Sequence, residues 1–153
     1  MLAGVLSLSV VPFMAWPFFQ AYVSNDFRYM IIGLGAIGVG YGVQQLKQLM
    51  PRVPPFLRPV GARNCGLLNN GGRSGGEPAF PSGHSAVAAY LATVATVGGG
   101  NGFAQVCALV YVCAVAYSRI KRKCHNVLQV GAGAMVGFAC GGLASVLLLQ
   151  EFS

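Results

Sequence analysis

From Leu2 to Val23 the chain carries no charged residue, and four further stretches, at 29–46, 82–97, 103–117 and 127–149, share that property. Such runs constrain the fold more than any motif does. About 20 apolar residues in a helix match the ~30 Å hydrocarbon thickness of a bilayer. Inside lipid the backbone must satisfy its own hydrogen bonds, which helices do within a single segment. The pattern therefore predicts an all-α fold, a polytopic bundle of about five membrane helices, with residues 1–153 forming one membrane-embedded domain. The first run lacks the basic start of a signal peptide and is as long as a span, so it reads as an anchor.

Charge agrees with this. Only 8% of the residues are charged, the mean hydropathy is +0.62, and ten basic residues against three acids give a net charge of +7. In a soluble domain that balance would suggest nucleic acid, but no RNA- or DNA-binding module is present. Beside apolar spans, anionic lipid or phosphate is the expected partner. Three scattered acids cannot assemble a two-metal site, and no Cys/His spacing indicates zinc. No metal and no cofactor are expected. Of the five cysteines, Cys107, Cys113 and Cys140 fall in apolar spans and act as small hydrophobes. Cys65 and Cys124 fall in loops, where two unpaired thiols are favoured over a tether.

Short polar breaks separate the spans, and the single long connection is 51–80, rich in proline and in glycine pairs (Gly71-Gly72, Gly75-Gly76). Loops of that length in compact domains are commonly functional. Five crossings place this connection, the 118–125 turn and the N-terminus on one face. The Asp26 turn, the 98–102 turn and Glu151 lie on the other. All basic residues except Arg28 then share a face with both histidines. The positive-inside rule assigns that face to the cytoplasm, with Lys121, Arg122 and Lys123 as the votes free of site duty. Gly133, Gly137 and Gly141 make a repeated GxxxG, and Gly38 with Gly42 another. Both read as helix-packing stripes.

Pro81-Ser82-Gly83-His84 is a helix-start sequence that directs backbone N–H groups and a hydroxyl toward an anion. His84 stands in the first turn as a proton donor. Arg119 and His125 flank a short turn and reach the same region, and a guanidinium matches phosphate oxygens bidentately. Gln129 lies one helical turn after His125. Its side-chain oxygen can accept from Nδ1–H and hold the ring neutral and oriented.

Arg58-Pro59, Pro81-Ser82-Gly83-His84 and Ser118-Arg119 followed by His125 resemble the three-part site of the type 2 phosphatidic acid phosphatase superfamily, which includes vanadium haloperoxidases. The similarity runs from about Lys47 to Gly141. It implies a metal-independent membrane phosphatase in which His125 is the nucleophile and forms a phosphohistidine. It also implies that His84 protonates the leaving oxygen, while Arg58, Arg119, Ser82 and Gly83 hold the phosphoryl oxygens. The substrate class implied is a lipid phosphate or a polyprenyl diphosphate.

Three departures from the family pattern stand out. Pro51 occupies the first-motif lysine position, with Lys47 preferred over Arg52 as the substitute cation. One of the usual six spans is missing. Gln129 stands where the family has aspartate, with Glu77 the acid able to compensate. His125-x-x-x-Gln129-Val130 is similar to the third motif of dolichyl diphosphatases, and Arg58 to Cys65 resembles compact members from large DNA viruses. The competing expectation is a non-catalytic structural membrane protein that keeps an anion pocket. From the sequence, aspartate at position 129 is expected to be tolerated.

Overall fold

A computed structural model describes residues 2–66, 68, 74–97 and 101–151. The Gly71-Gly72 pair and most of the 98–102 turn lie outside the described residues. Among the described residues there are six α-helices: α1 (Leu2–Leu8), α2 (Val10–Ser24), α3 (Phe27–Leu49), α4 (Gly83–Val97), α5 (Gly102–Lys121) and α6 (Val127–Glu151). The first two are one apolar span, Leu2–Ser24, interrupted at Ser9. Pro12 explains the break, because its nitrogen cannot donate to the Leu8 carbonyl one turn earlier. Among the described residues four spans are long and apolar enough to cross a bilayer, and α4 is a shorter apolar helix.

α4 is the centre. Its residues from His84 to Leu91 are all buried, and it packs most extensively on α6 and also on α5, α3 and α2. A helix that is apolar all round belongs inside a bundle. The core joins Val10, Ala36, Val87, Tyr90, Leu91, Val94 and Val115 from four helices, with Cys140 and Ala144 of α6 packed against it. The outer faces carry large apolar side chains, among them Phe19, Leu34, Val110, Met135 and Leu143. Such a surface suits lipid.

The α6 glycines are where the helices touch. A Cβ on Gly133 would lie 2.3 Å from the Ser82 carbonyl oxygen, and one on Gly137 2.1 Å from that of Ala86. At Gly141 it would lie 2.7 Å from Thr93 Cβ. The second expected stripe is different. Gly38 and Gly42 meet no atom within 4 Å, whereas Gly33 abuts the Phe18 ring and Gly35 the Tyr90 hydroxyl. α3 presents another face to the bundle than the GxxxG spacing implied, because the bulky Phe18 and Tyr90 side chains need room on it.

Ser7 on α1 bonds Arg119 at the end of α5, so the N-terminal turn sits beside the α5–α6 turn. At the opposite end Asp26 caps α3 by accepting from Arg28 N (3.0 Å). A cavity of about 530 Å³ there is lined by residues including Asp26, Arg28, Val97 and Leu149. The two sets of turns therefore occupy opposite ends, as crossing number required.

Candidate active site

The site grows from three backbone devices. First, the long connection folds back on itself. Arg58 N donates to Glu77 O (2.8 Å), Gly76 N to Arg58 O (3.1 Å) and Ala79 N to Phe56 O (3.0 Å). This clasp carries Arg58 inward, where it is buried.

Second, α5 ends in a Schellman motif. Lys123 N bonds Ile120 O (2.8 Å), Cys124 N bonds Arg119 O (3.0 Å), and Lys123 takes φ +56°. That left-handed residue, usually glycine, reverses the chain and delivers Cys124 and His125 toward the bundle axis.

Third, α6 starts with a reciprocal cap. Gln129 N donates to Asn126 Oδ1 (2.9 Å) and Asn126 N to Gln129 Oε1 (3.3 Å). This is a capping box with asparagine and glutamine. The signal Asn-x-x-Gln was present in the sequence and was missed. Asn126 also donates from Nδ2 to Pro55 O (3.0 Å).

Gln129 Oε1 lies 3.0 Å from His125 Nδ1. Its Nε2 donates to both Pro55 O and Leu57 O, each at 2.8 Å. Both amide protons are thus used on carbonyls, which fixes the amide's orientation. Nδ1 must then carry the imidazole proton, leaving Nε2 with the lone pair. Gln129 is fully buried. One residue sets the tautomer of His125 and anchors the connection that bears Arg58. An aspartate could do only the first, which opposes the expectation that aspartate is tolerated there.

His125 is buried, and its pKa lies well below the ordinary value of 6.5. Burial is the main cause, followed by the positive charges of Arg119, Arg58 and Lys47, against a small opposing effect of the Gln129 bond. The ring is neutral at neutral pH.

A cavity of about 340 Å³ is lined by Lys47, Arg58, Gly83, His84 and His125 together with Gln44. Val10, Met14, Ile37 and Val87 continue it as an apolar wall. Lys47 is buried, its Nζ donates to Gln44 Oε1 (3.5 Å), and it lies 3.8 Å from where a Cβ on Gly83 would stand. Arg52 is exposed, so Lys47 is the cation at the cavity.

Ser82 and Arg119 are fully buried but do not line the cavity. The Ser82 N–H is taken by Gln129 O (2.9 Å), and its hydroxyl accepts from Ser85 (3.1 Å). The N–H groups without an intrahelical acceptor in α4 are therefore those of Gly83, His84 and Ser85. Glu77 does not approach His125; its carboxylate accepts from Ser74 Oγ (3.4 Å). Cys65 and Cys124, expected as free thiols, form a disulfide. Sequence spacing of 59 residues hid their proximity. Ser7, bonded by Arg119 Nη1, was also missed, although a polar residue in an apolar span is itself a signal.

Among the described residues no group of three or more His, Cys, Asp or Glu side chains is placed to hold a metal ion. The cavity's charge is that of an anion site, made by cations and a helix start.

Fold and pocket together define a polytopic helical membrane protein with a cationic, histidine-bearing pocket at one end of its bundle. Residues 28–152 match the family model of the PAP2 superfamily, and the chain belongs to that superfamily. The superfamily includes phosphatases that act on lipid phosphates in membranes. No curated protein and no solved structure matches the chain.

Proposed function

We propose that the protein is a metal-independent membrane phosphatase that hydrolyses a lipid phosphate or polyprenyl diphosphate through a phosphohistidine. The observation that carries this is the neutral His125 ring, its Nδ1 held by Gln129, beside a cavity lined by Lys47, Arg58 and His84.

His125 Nε2 attacks phosphorus in line with the leaving oxygen, and the P–O bond breaks as the P–N bond forms. His84 gives its proton to the departing alkoxide or phosphate. It then takes a proton from water, which attacks the phosphohistidine and releases phosphate and free His125. Lys47, Arg58, Arg119 and the N–H of Gly83 neutralise the developing charge, the main source of catalysis in phosphoryl transfer. A lipid substrate fits because the apolar wall adjoins the cationic end. The dolichyl-type diphosphate is favoured within the class by the His125-x-x-x-Gln129-Val130 pattern.

Phosphate release from a short-chain lipid phosphate by the purified protein tests the reading. Vanadate should inhibit, EDTA should not, and His125→Ala should abolish turnover. His84→Ala should lose most on an alkoxide leaving group and much less on an aryl one. Vanadate binding without turnover on any substrate would establish the non-catalytic alternative.

A further inference from the structure

Arg58 and Arg119 come from different parts of the chain, and each is anchored on the other's segment. Arg58, on the long connection, donates from Nη1 to the Cys124 carbonyl in the α5–α6 turn (2.8 Å). Arg119, at the end of α5, donates from Nη2 to the Cys65 carbonyl in the connection (2.9 Å). Arg122 repeats the second contact one residue away, on the Asn64 carbonyl (3.0 Å). The two residues that accept from Arg58 and Arg119 are the two halves of the disulfide, and Cys124 directly precedes His125.

A guanidinium is only as well placed as the carbonyl that receives it. The clasp between 56–58 and 76–79 fixes the base of the connection, and residues 59–66 extend beyond it without a helix or strand. Cys65 and Cys124 are buried against Ala62 in a small cluster of their own, apart from the main core. The covalent bond between them sets the distance from connection to turn. Without it the Cys65 carbonyl can drift from Arg119, while the turn that carries Cys124 and His125 loses its tie to the connection.

We propose that the Cys65–Cys124 disulfide is a positioning element of the phosphate site. It holds the acceptors of both arginines and the neighbour of His125 as one unit, so phosphate binding and turnover require the oxidised protein. This rests on the phosphatase reading above. A dithiol reductant reverses the state. Its thiolate attacks one sulfur to give a mixed disulfide, and its second thiol closes a cyclic disulfide. Cys65 and Cys124 leave as two thiols, having gained two electrons and two protons. Both residues are buried, so the exchange goes through local opening. Activity is then confined to membranes whose site face meets an oxidising compartment, against the positive-inside assignment of that face to the cytoplasm.

The test compares the full chain in four states: oxidised, reduced with dithiothreitol, reoxidised with diamide, and as the Cys65→Ser/Cys124→Ser double variant. Phosphate release, vanadate inhibition and helical circular dichroism are read in each. Reduction and the double variant should keep the helical signal yet weaken vanadate inhibition and kcat/KM by about ten- to a hundredfold, the scale of a small misplacement in an active site. Diamide should restore the reduced wild type and leave the serine variant unchanged.

In an Arg58→Ala background reduction should cost less than in wild type, because one anchored group is already gone. Vanadate inhibition unchanged by reduction overturns the proposal. So does activity lost only together with the helical signal, or reduction and Arg58→Ala acting additively; either outcome makes the bond a general staple. If the double variant does not assemble, the reduced wild type carries the test. An oxidised protein that neither hydrolyses phosphate nor responds to vanadate fails the phosphatase reading itself, a different result from an active enzyme indifferent to reduction.

Discussion

Gln129 shows how one side chain can be misjudged from its sequence position alone. Read against the family pattern it is a carboxylate that lost its charge. Read in three dimensions it is the only residue type of that size offering an acceptor to His125 and two donors to Pro55 and Leu57. Each buried hydrogen bond left unmade costs about 1–3 kcal/mol. Gln129→Ala should therefore lower kcat by about a hundredfold, the scale of a misplaced catalytic group. Gln129→Asp and Gln129→Glu should do no better, since either sets oxygens against the Pro55 and Leu57 carbonyls. An aspartate variant as active as wild type would falsify the anchoring role.

Titration of His125 gives a second test at this scale. Its pKa is depressed, so the neutral nucleophile persists below pH 6.5 and the acidic limb of kcat/KM should lie below the ordinary histidine range. Lys47 is one of the charges that depress it. Lys47→Met should move the limb upward, because removing a positive neighbour eases protonation. The same shift affects stability: the unfolded chain takes up this proton near pH 6.5 and the folded chain does not. The stability contributed by a neutral His125 is thus present above 6.5 and lost as pH falls through the folded value.

Among the elements, the α4–α6 seam and the outer face of α3 make a controlled comparison. Both carry the small-xxx-small spacing, yet only α6 uses it inside the bundle. Gly137→Ala places a Cβ 2.1 Å from the Ala86 carbonyl oxygen, so the helices must part. Overpacking of this kind costs about 1–3 kcal/mol. Gly38→Ala meets nothing within 4 Å and should leave stability within about 0.5 kcal/mol, as substitutions away from packed features do. Thermal unfolding in detergent measures both. Equal losses would mean that the α3 face is also packed.

For the molecule as a whole, the arrangement of ends depends on α4. Its 15 residues span about 22 Å at 1.5 Å per residue, short of the ~30 Å hydrocarbon core. It is tolerated because its backbone is enclosed by other helices and never meets lipid unpaired. With α4 as a crossing, N- and C-terminal tags should be protected on opposite sides of sealed vesicles, and the N-terminal tag should share the face of Arg63. Tags digested from the same side would mean that α4 does not traverse.

The apolar spans and the grouping of the turns at two ends were legible in the linear chain, because hydropathy is local and crossing number alternates. The positions of His84, Arg119 and His125 at helix ends followed from their own neighbours, whereas Arg58 reaches inward from the long connection through a clasp no neighbour specifies. Other features depend on which faces meet across long separations. The Cys65–Cys124 bond, the hold of Gln129 on the 55–57 carbonyls, the burial of Arg119 against Ser7 and the choice of Gly33 and Gly35 over Gly38 and Gly42 are of that kind. No local pattern encodes them, because a contact's energy exists only after the chain has closed the loop between its partners.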